Sequence, residues 1–195
     1  MNVLTADDPE ALDAAVTALT AGEPIVVPTD TVYGLAALPA SSAAVDRLYQ
    51  LKDRPSSVPI AVLVASTEQA QTLLAPSTAA DVLARAFWPG PLTIVAVRRD
   101  RDETVGVRCP DHAFIRKLAE RVGPLAVTSA NRHGQPTPAT ARDAATQLAG
   151  TVALVIDGGP CAGQPSTVVD VSHDDPVMIR EGTITEEQIR AAALR

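Results

Sequence analysis

The chain is 195 residues long, with a net charge of −7 at pH 7 and a composition that is 46% hydrophobic, 20% charged and only 3% aromatic. A length of this order supports one domain with its own aliphatic core, so neither a disulfide framework nor a structural metal is needed for folding. The acidic balance excludes a surface that grips nucleic acid over its whole extent, while leaving room for a local basic cleft.

The N-terminal MNVLTADDPE lacks a basic segment followed by an apolar one, and no apolar run reaches the ~18 residues of a membrane helix. The expected location is the cytoplasm. Asp8, ahead of Pro9 and Glu10, is placed to cap a helix that runs to Ala21 and stops at Gly22. Ile25–Val27 reads as a buried strand entering a polar turn at residues 28–31. Ser41 and Ser42 open a helix through Leu51, with Val45, Leu48 and Tyr49 inward. The KDRP segment follows as a loop, because the proline removes Arg54 from helical geometry.

PIAVLVAS is the next strand. Ser66 with Gln69 has capping-box spacing for a helix to Leu74, and Ser77 starts another to Phe87. A turn at Trp88–Pro91 leads into the strand LTIVAVRR, and RDRDE connects it to TVGVR. Asp111 is placed to cap a helix to Val122 whose Phe114, Ile115, Leu118 and Ala119 share one face. PLAVTSAN is a strand ending in a polar loop, and TARDAATQLAG is a helix with a glycine stop. Three short strands (TVALVIDGG, STVVDV, PVMIREG) and a helix capped by Thr185 complete the chain. Strands and helices alternate early and strands cluster late, which predicts an α/β fold with a mixed, twisted sheet. No linker or repeat divides residues 1–195, so a single domain is expected.

Polar clusters fall at the strand ends: PTDT at 28–31, TVGVR at 104–108, TSAN at 128–131, ST at 166–167 and IREG at 179–182. Ligands of α/β sheets collect at such ends. Converged, they would supply Lys52, Arg54, Arg108 and Arg180 as cations. Neutral hydrogen bonds would come from Thr29, Thr31, Thr104, Ser129, Asn131, Thr137 and Ser166. The set suits a polyanion beside a small polar molecule. Only two of the sixteen basic residues are lysines, and Lys52 stands one residue from Arg54 without Walker-type glycines. Either its compact ammonium is used on a ligand, or a lysine falls there by chance. No GxSxG elbow, HExxH motif or paired-cysteine spacing occurs. Cys109 beside Arg108 is either an activated thiolate or a small core residue.

PTDTVYGL, KDRP, FWPGPLT, VGVRCP, TSAN, STVVDV and IREG, in this order over nearly the whole chain, resemble the YrdC-like threonylcarbamoyl-AMP synthase family. The resemblance implies a twisted sheet with surrounding helices and a concave, positively charged cleft, in the single-domain form. It implies a nucleotidyltransferase that makes threonylcarbamoyl-AMP and pyrophosphate from L-threonine, bicarbonate or CO2, and ATP. A partner complex would then carry the group to the adenosine beside the anticodon of tRNA. By position, Thr31, Arg108 and Ser166, with a backbone group near Val127, would contact threonine. Lys52, Arg54, Ser129 and Asn131 would face the nucleotide and the reacting centre. Val58, Thr104, Thr137 and Arg180 would contact ATP, Val58 through its backbone alone. Mg2+ is expected to arrive with ATP rather than in a protein cage. Some relatives place a histidine near threonine where this chain has Leu63. Two other readings share these features: a double-stranded RNA-binding module without catalysis, and a carbamoyl-adenylate-forming domain.

Overall fold

The structure, a computed structural model, describes residues 2–173 and 175–193. These form β1 (Asn2–Thr5), α1 (Ala11–Thr20), β2 (Ile25–Val27), β3 (Gly34–Ala37), α2 (Ser42–Lys52), β4 (Ala61–Leu63), α3 (Thr67–Leu73) and α4 (Thr78–Phe87). There follow β5 (Leu92–Val97), β6 (Thr104–Arg108), α5 (Ala113–Val122), β7 (Leu125–Ser129), α6 (Ala141–Gln147), β8 (Leu154–Asp157), β9 (Thr167–Asp170), β10 (Val177–Arg180) and α7 (Glu186–Ala193). No described helix is long and apolar enough to cross a membrane.

All ten strands join one sheet in the order β1-β8-β2-β3-β7-β4-β6-β5-β9-β10. The sheet is mixed: β1/β8, β2/β8, β4/β6 and β5/β9 are parallel, while β2/β3, β3/β7, β4/β7, β5/β6 and β9/β10 are antiparallel. The two halves of the sheet are covered differently. Over β8, β2 and β3, α1 and α5 pack on one face around Leu19, Ile115 and Ile156, and α2 and α6 pack on the other around Leu35, Leu48 and Val155. Over β6, β5 and β9 the helices α3, α4 and α7 cover one face, around Leu83, Leu92, Ile94 and Val107. Because side chains alternate along a strand, Thr93, Val95, Gly106, Arg108, Val168 and Asp170 point the opposite way. They line a cavity.

Local departures from the sequence reading have identifiable causes. Helix α1 begins at Ala11 rather than at Pro9, because Asp8 accepts from the Glu10 N–H at 2.8 Å and forms a turn first. The cap of α5 is His112, in extended geometry, not Asp111. Helix α2 runs through Lys52, so the lysine is helical rather than in a loop. Asp53, left-handed at φ 49°, ends it one residue before Arg54. Gln69 bonds to the Ala65 N–H at 2.7 Å rather than to that of Ser66. α6 ends at Gln147, ahead of Gly150. Strands β1 and β3 were not distinguished by pattern. The residues of β3 are all small or apolar and all buried, so no alternation marks them.

Gly34 opens β3 opposite Ser129 of β7. A Cβ there would lie 2.6 Å from Cγ1 of Val127, which cannot be accommodated without displacement. Gly34→Ala is therefore expected to lower the unfolding free energy by about 1–3 kcal/mol, as overpacking does. Urea denaturation measures this, and adding Val127→Ala should recover part of the loss.

Candidate active site

The bare half of the sheet forms one wall of a cavity of about 600 Å³. The other wall comes from the turn after β2, the ends of β3 and β7, and the segment 59–63. Of the residues singled out by sequence, Thr29, Thr31, Arg54, Thr104, Arg108, Val127, Ser129, Ser166 and Arg180 line it, and Leu63 does too. Lys52, Val58, Asn131 and Thr137 do not.

The PTDT turn is shaped by one side chain. Thr29 Oγ1 accepts from the N–H groups of Thr31 and Val32, both at 3.2 Å, and donates to Val32 O at 2.6 Å. This local bonding replaces strand pairing and turns the chain at 29–32. Thr31 and Asp30 are thereby presented to Arg108, at the end of β6. Arg108 is 5% exposed. Its Nε donates to Gly90 O at 3.0 Å, one Nη to Thr31 Oγ1 at 2.8 Å, and the other Nη to the Asp30 carboxylate. Burial lowers the Arg108 pKa, and Asp30 opposes that shift. Three of five N–H donors are thus engaged, and one remains on each terminal nitrogen.

Arg180, at the end of β10, makes a second knot. Its Nε and Nη2 donate to Ser166 O at 3.1 and 2.8 Å. Ser166 Oγ lies 2.9 Å from Thr93 Oγ1. Behind it, Thr167 Oγ1 accepts from the N–H groups of Gly182 and Ile184 at 2.9 and 3.0 Å. Gly182 explains the end of IREG: a Cβ there would fall 2.3 Å from Pro165 O. The third cation, Arg54, donates to Thr128 Oγ1 at 3.0 Å and Pro59 O at 2.8 Å. Its Nε–H has no partner. Arg54 depresses the pKa of both Lys52 and Arg180, and Arg180 that of Arg108, in each case after burial. The three arginines therefore feel one another across the cavity.

Five of the positions read as ligand contacts are engaged with protein groups in the structure. Lys52 is 1% exposed and does not reach the cavity. Its Nζ is enclosed by Ser129 O, Asn131 O, Asn131 Oδ1 at 3.2 Å and Ser129 Oγ at 3.5 Å. Burial, with Arg54 nearby, lowers its pKa to about 8. Asn131 is also turned inward: its Nδ2 donates to Arg132 O and Gln135 O at 3.0 and 2.6 Å. Val58 has both backbone groups engaged, N–H with Pro55 O at 3.1 Å and C=O with the Tyr49 hydroxyl at 3.2 Å. Thr137 donates to Gly163 O at 2.9 Å, and Gly163 N–H reaches Thr31 O at 2.9 Å, so it braces the PTDT turn through a neighbouring loop. Val127 presents a side chain rather than a free backbone group, since β7 pairs there with both Ala36 and Ala61. Cys109 is a core residue, 2% exposed, donating to Ala65 O at 3.4 Å, and burial raises its pKa.

Asp30, Thr93 and Thr128 were not singled out as site residues. Asp30 carried a usable signal, as the acidic residue inside the PTDT turn. Thr93 and Thr128 carried none beyond strand alternation.

Residues 17–182 match the Sua5/YciO/YrdC family model, whose description reads "Telomere recombination". The chain is 38% identical to a threonylcarbamoyl-AMP synthase of Bacillus subtilis, over 96% of this chain and 58% of that protein. It is 40% identical to a putative threonylcarbamoyl-AMP synthase of Mycobacterium tuberculosis, over 90% of this chain and 86% of that one. The crystal structure of Pyrococcus abyssi Sua5 complexed with L-threonine superposes with a TM-score of 0.87 at 36% identity, over 93% of this chain and 56% of that chain. The chain thus spans well under two thirds of the Bacillus and Pyrococcus proteins. With the α/β fold, the half-bare sheet and these matches in agreement, the chain belongs to the Sua5/YciO/YrdC family.

Proposed function

We propose that this protein is an adenylate-forming enzyme, a threonylcarbamoyl-AMP synthase, and that the cavity is its active site. The observation that carries this reading is the meeting of Arg54, Arg108 and Arg180, from three distant segments, around one cavity that hydroxyls also line, with Arg98, Glu103 and Asp170 as its other charged side chains. Relatives that bear the synthase name, and a related protein that holds L-threonine, support it.

The reaction joins three species. The neutral amine of threonine forms a bond to the carbon of CO2, giving a carbamate and releasing a proton, or to the carbon of bicarbonate, giving the same carbamate and one water. A carbamate oxygen then bonds to the α-phosphorus of ATP, the bond from that phosphorus to the β-phosphate oxygen breaks, and the electron pair leaves with pyrophosphate. No covalent enzyme intermediate is required. The main contribution of the protein is positioning, which can remove on the order of 7–11 kcal/mol of barrier.

The two remaining N–H donors of Arg108 would take the threonine carboxylate, beside Thr31. Ser166, already oriented by Thr93 and Arg180, would read the threonine hydroxyl. Arg54, with one N–H left on each terminal nitrogen, and Arg180 would meet the triphosphate and the charge that develops on pyrophosphate. Thr104 and Ser129 would add neutral hydrogen bonds along the same wall. Mg2+ would arrive with ATP, held by its phosphates and water, and would neutralise charge there. Transfer of the product to tRNA by a separate complex completes the proposed role.

Incubation with ATP, Mg2+, bicarbonate and single amino acids should release pyrophosphate with L-threonine and far less with L-valine. Release that ignores threonine contradicts the reading, and steeply salt-dependent RNA binding without turnover would favour the RNA-binding alternative. Arg54→Ala should lower the rate about a hundredfold, the scale of losing one transition-state donor. Ser166→Ala should erode the threonine-over-valine preference by roughly 1–3 kcal/mol, measured as the ratio of kcat/KM values.

A further inference from the structure

Resting on the reading above, we propose that Lys52 is a positioning residue: its ammonium, buried beneath the 129–131 turn, fixes that turn from inside and touches neither nucleotide nor reacting atoms. The stoichiometry of its donors leads there. An ammonium has three N–H bonds and accepts none. Two backbone carbonyls, those of Ser129 and Asn131, and the Asn131 side-chain oxygen take all three. The Ser129 hydroxyl, at 3.5 Å, is a fourth and weaker neighbour. At 1% exposure nothing is left to meet a phosphate.

The same residue holds the turn through its backbone as well. Lys52 O, one of the unsatisfied carbonyls at the end of α2, accepts from the His133 N–H at 2.8 Å. Arg132 adds an ion pair to Asp53 at 2.8 Å. Asn131 repeats the pattern, with Oδ1 on Lys52 and Nδ2 on the backbone of Arg132 and Gln135. The end of α2 and the TSAN turn are therefore a single hydrogen-bonded unit. Of the set Lys52, Arg54, Ser129 and Asn131, only Arg54 and Ser129 line the cavity.

The need for a lysine follows. Converging carbonyl oxygens repel one another unless a cation sits between them, and an ammonium is compact enough to fit where a planar guanidinium fork is not. Replacing it with methionine keeps most of the volume and leaves two buried carbonyls without a donor. The turn is then held in several arrangements, and Ser129 is misplaced relative to the phosphates.

Two measurements test this. The chain has two lysines, and Lys117 is exposed on α5. In the wild-type protein without nucleotide, reductive methylation should modify Lys117 and spare Lys52, and the 15N ammonium signal of Lys52 should stay in place when a non-hydrolysable ATP analogue is added. Methylation of Lys52 at the rate of Lys117, or a nucleotide-dependent shift of its signal, overturns the proposal. Second, Lys52→Met should lower kcat about a hundredfold while the Kd for the analogue changes by less than about threefold. A rise in Kd of tenfold or more, as Arg54→Ala should give, overturns it too. If the methionine variant does not fold, the wild-type labelling and NMR results still decide the question. Loss of threonine-dependent turnover in the wild type would count against the proposed reaction, whereas the burial of Lys52 is read without turnover.

Discussion

The site depends on one buried cation. Arg108 reaches from the end of β6 into the turn after β2, and its bonds to Asp30, Thr31 and Gly90 tie segments that lie far apart in the chain. Desolvating a guanidinium is expensive, and only a carboxylate with good hydrogen bonds offsets it. Asp30 supplies the charge, and the Thr29-centred turn fixes where Asp30 stands. Removing one member of such a pair typically costs about 3–5 kcal/mol, because its partner is left buried and uncompensated. The PTDT turn is thus a support for the cation as well as a wall of the cavity.

The cavity itself is a consequence of uneven covering. A sheet sandwiched between helices on both faces has no room for a ligand of this size. Here α3, α4 and α7 take only one face of the β6, β5 and β9 region, and strand alternation delivers a set of small, hydroxyl-bearing and charged side chains to the other. Gly106 keeps that floor low, since a Cβ would come within 3.3 Å of Thr93. Arg54 and Arg180 stand at the rim with part of their hydrogen bonding directed to backbone carbonyls. Their geometry is therefore set before any ligand binds, which is what electrostatic stabilisation requires.

Most of the helices and long strands were legible in the sequence because periodicity and caps coincide there: Ser41, Ser66, Ser77, Thr140 and Thr185 all accept a hydrogen bond from the first turn of their helix. Strands β1 and β3 were hidden, the first short and mostly exposed, the second uniformly apolar. The convergence of the cations was legible as polar clusters at strand ends. What could not be read was direction. Lys52 and Arg54 are two residues apart, yet one ends inside a helix terminus beneath a turn and the other faces the cavity. That difference comes from the left-handed Asp53 between them, and a motif does not encode which way a side chain turns after such a break. Asn131 and Thr137 likewise hold protein partners in the structure, which their place in a motif does not reveal.

A crystal structure of the protein with L-threonine and a non-hydrolysable ATP analogue tests the central claim most directly. The prediction is that the amino-acid carboxylate lies on Arg108 and the triphosphate runs between Arg54 and Arg180, with Ser129 at the reacting phosphate. Nucleotide bound elsewhere on the surface, with the three arginines facing only solvent, would contradict it.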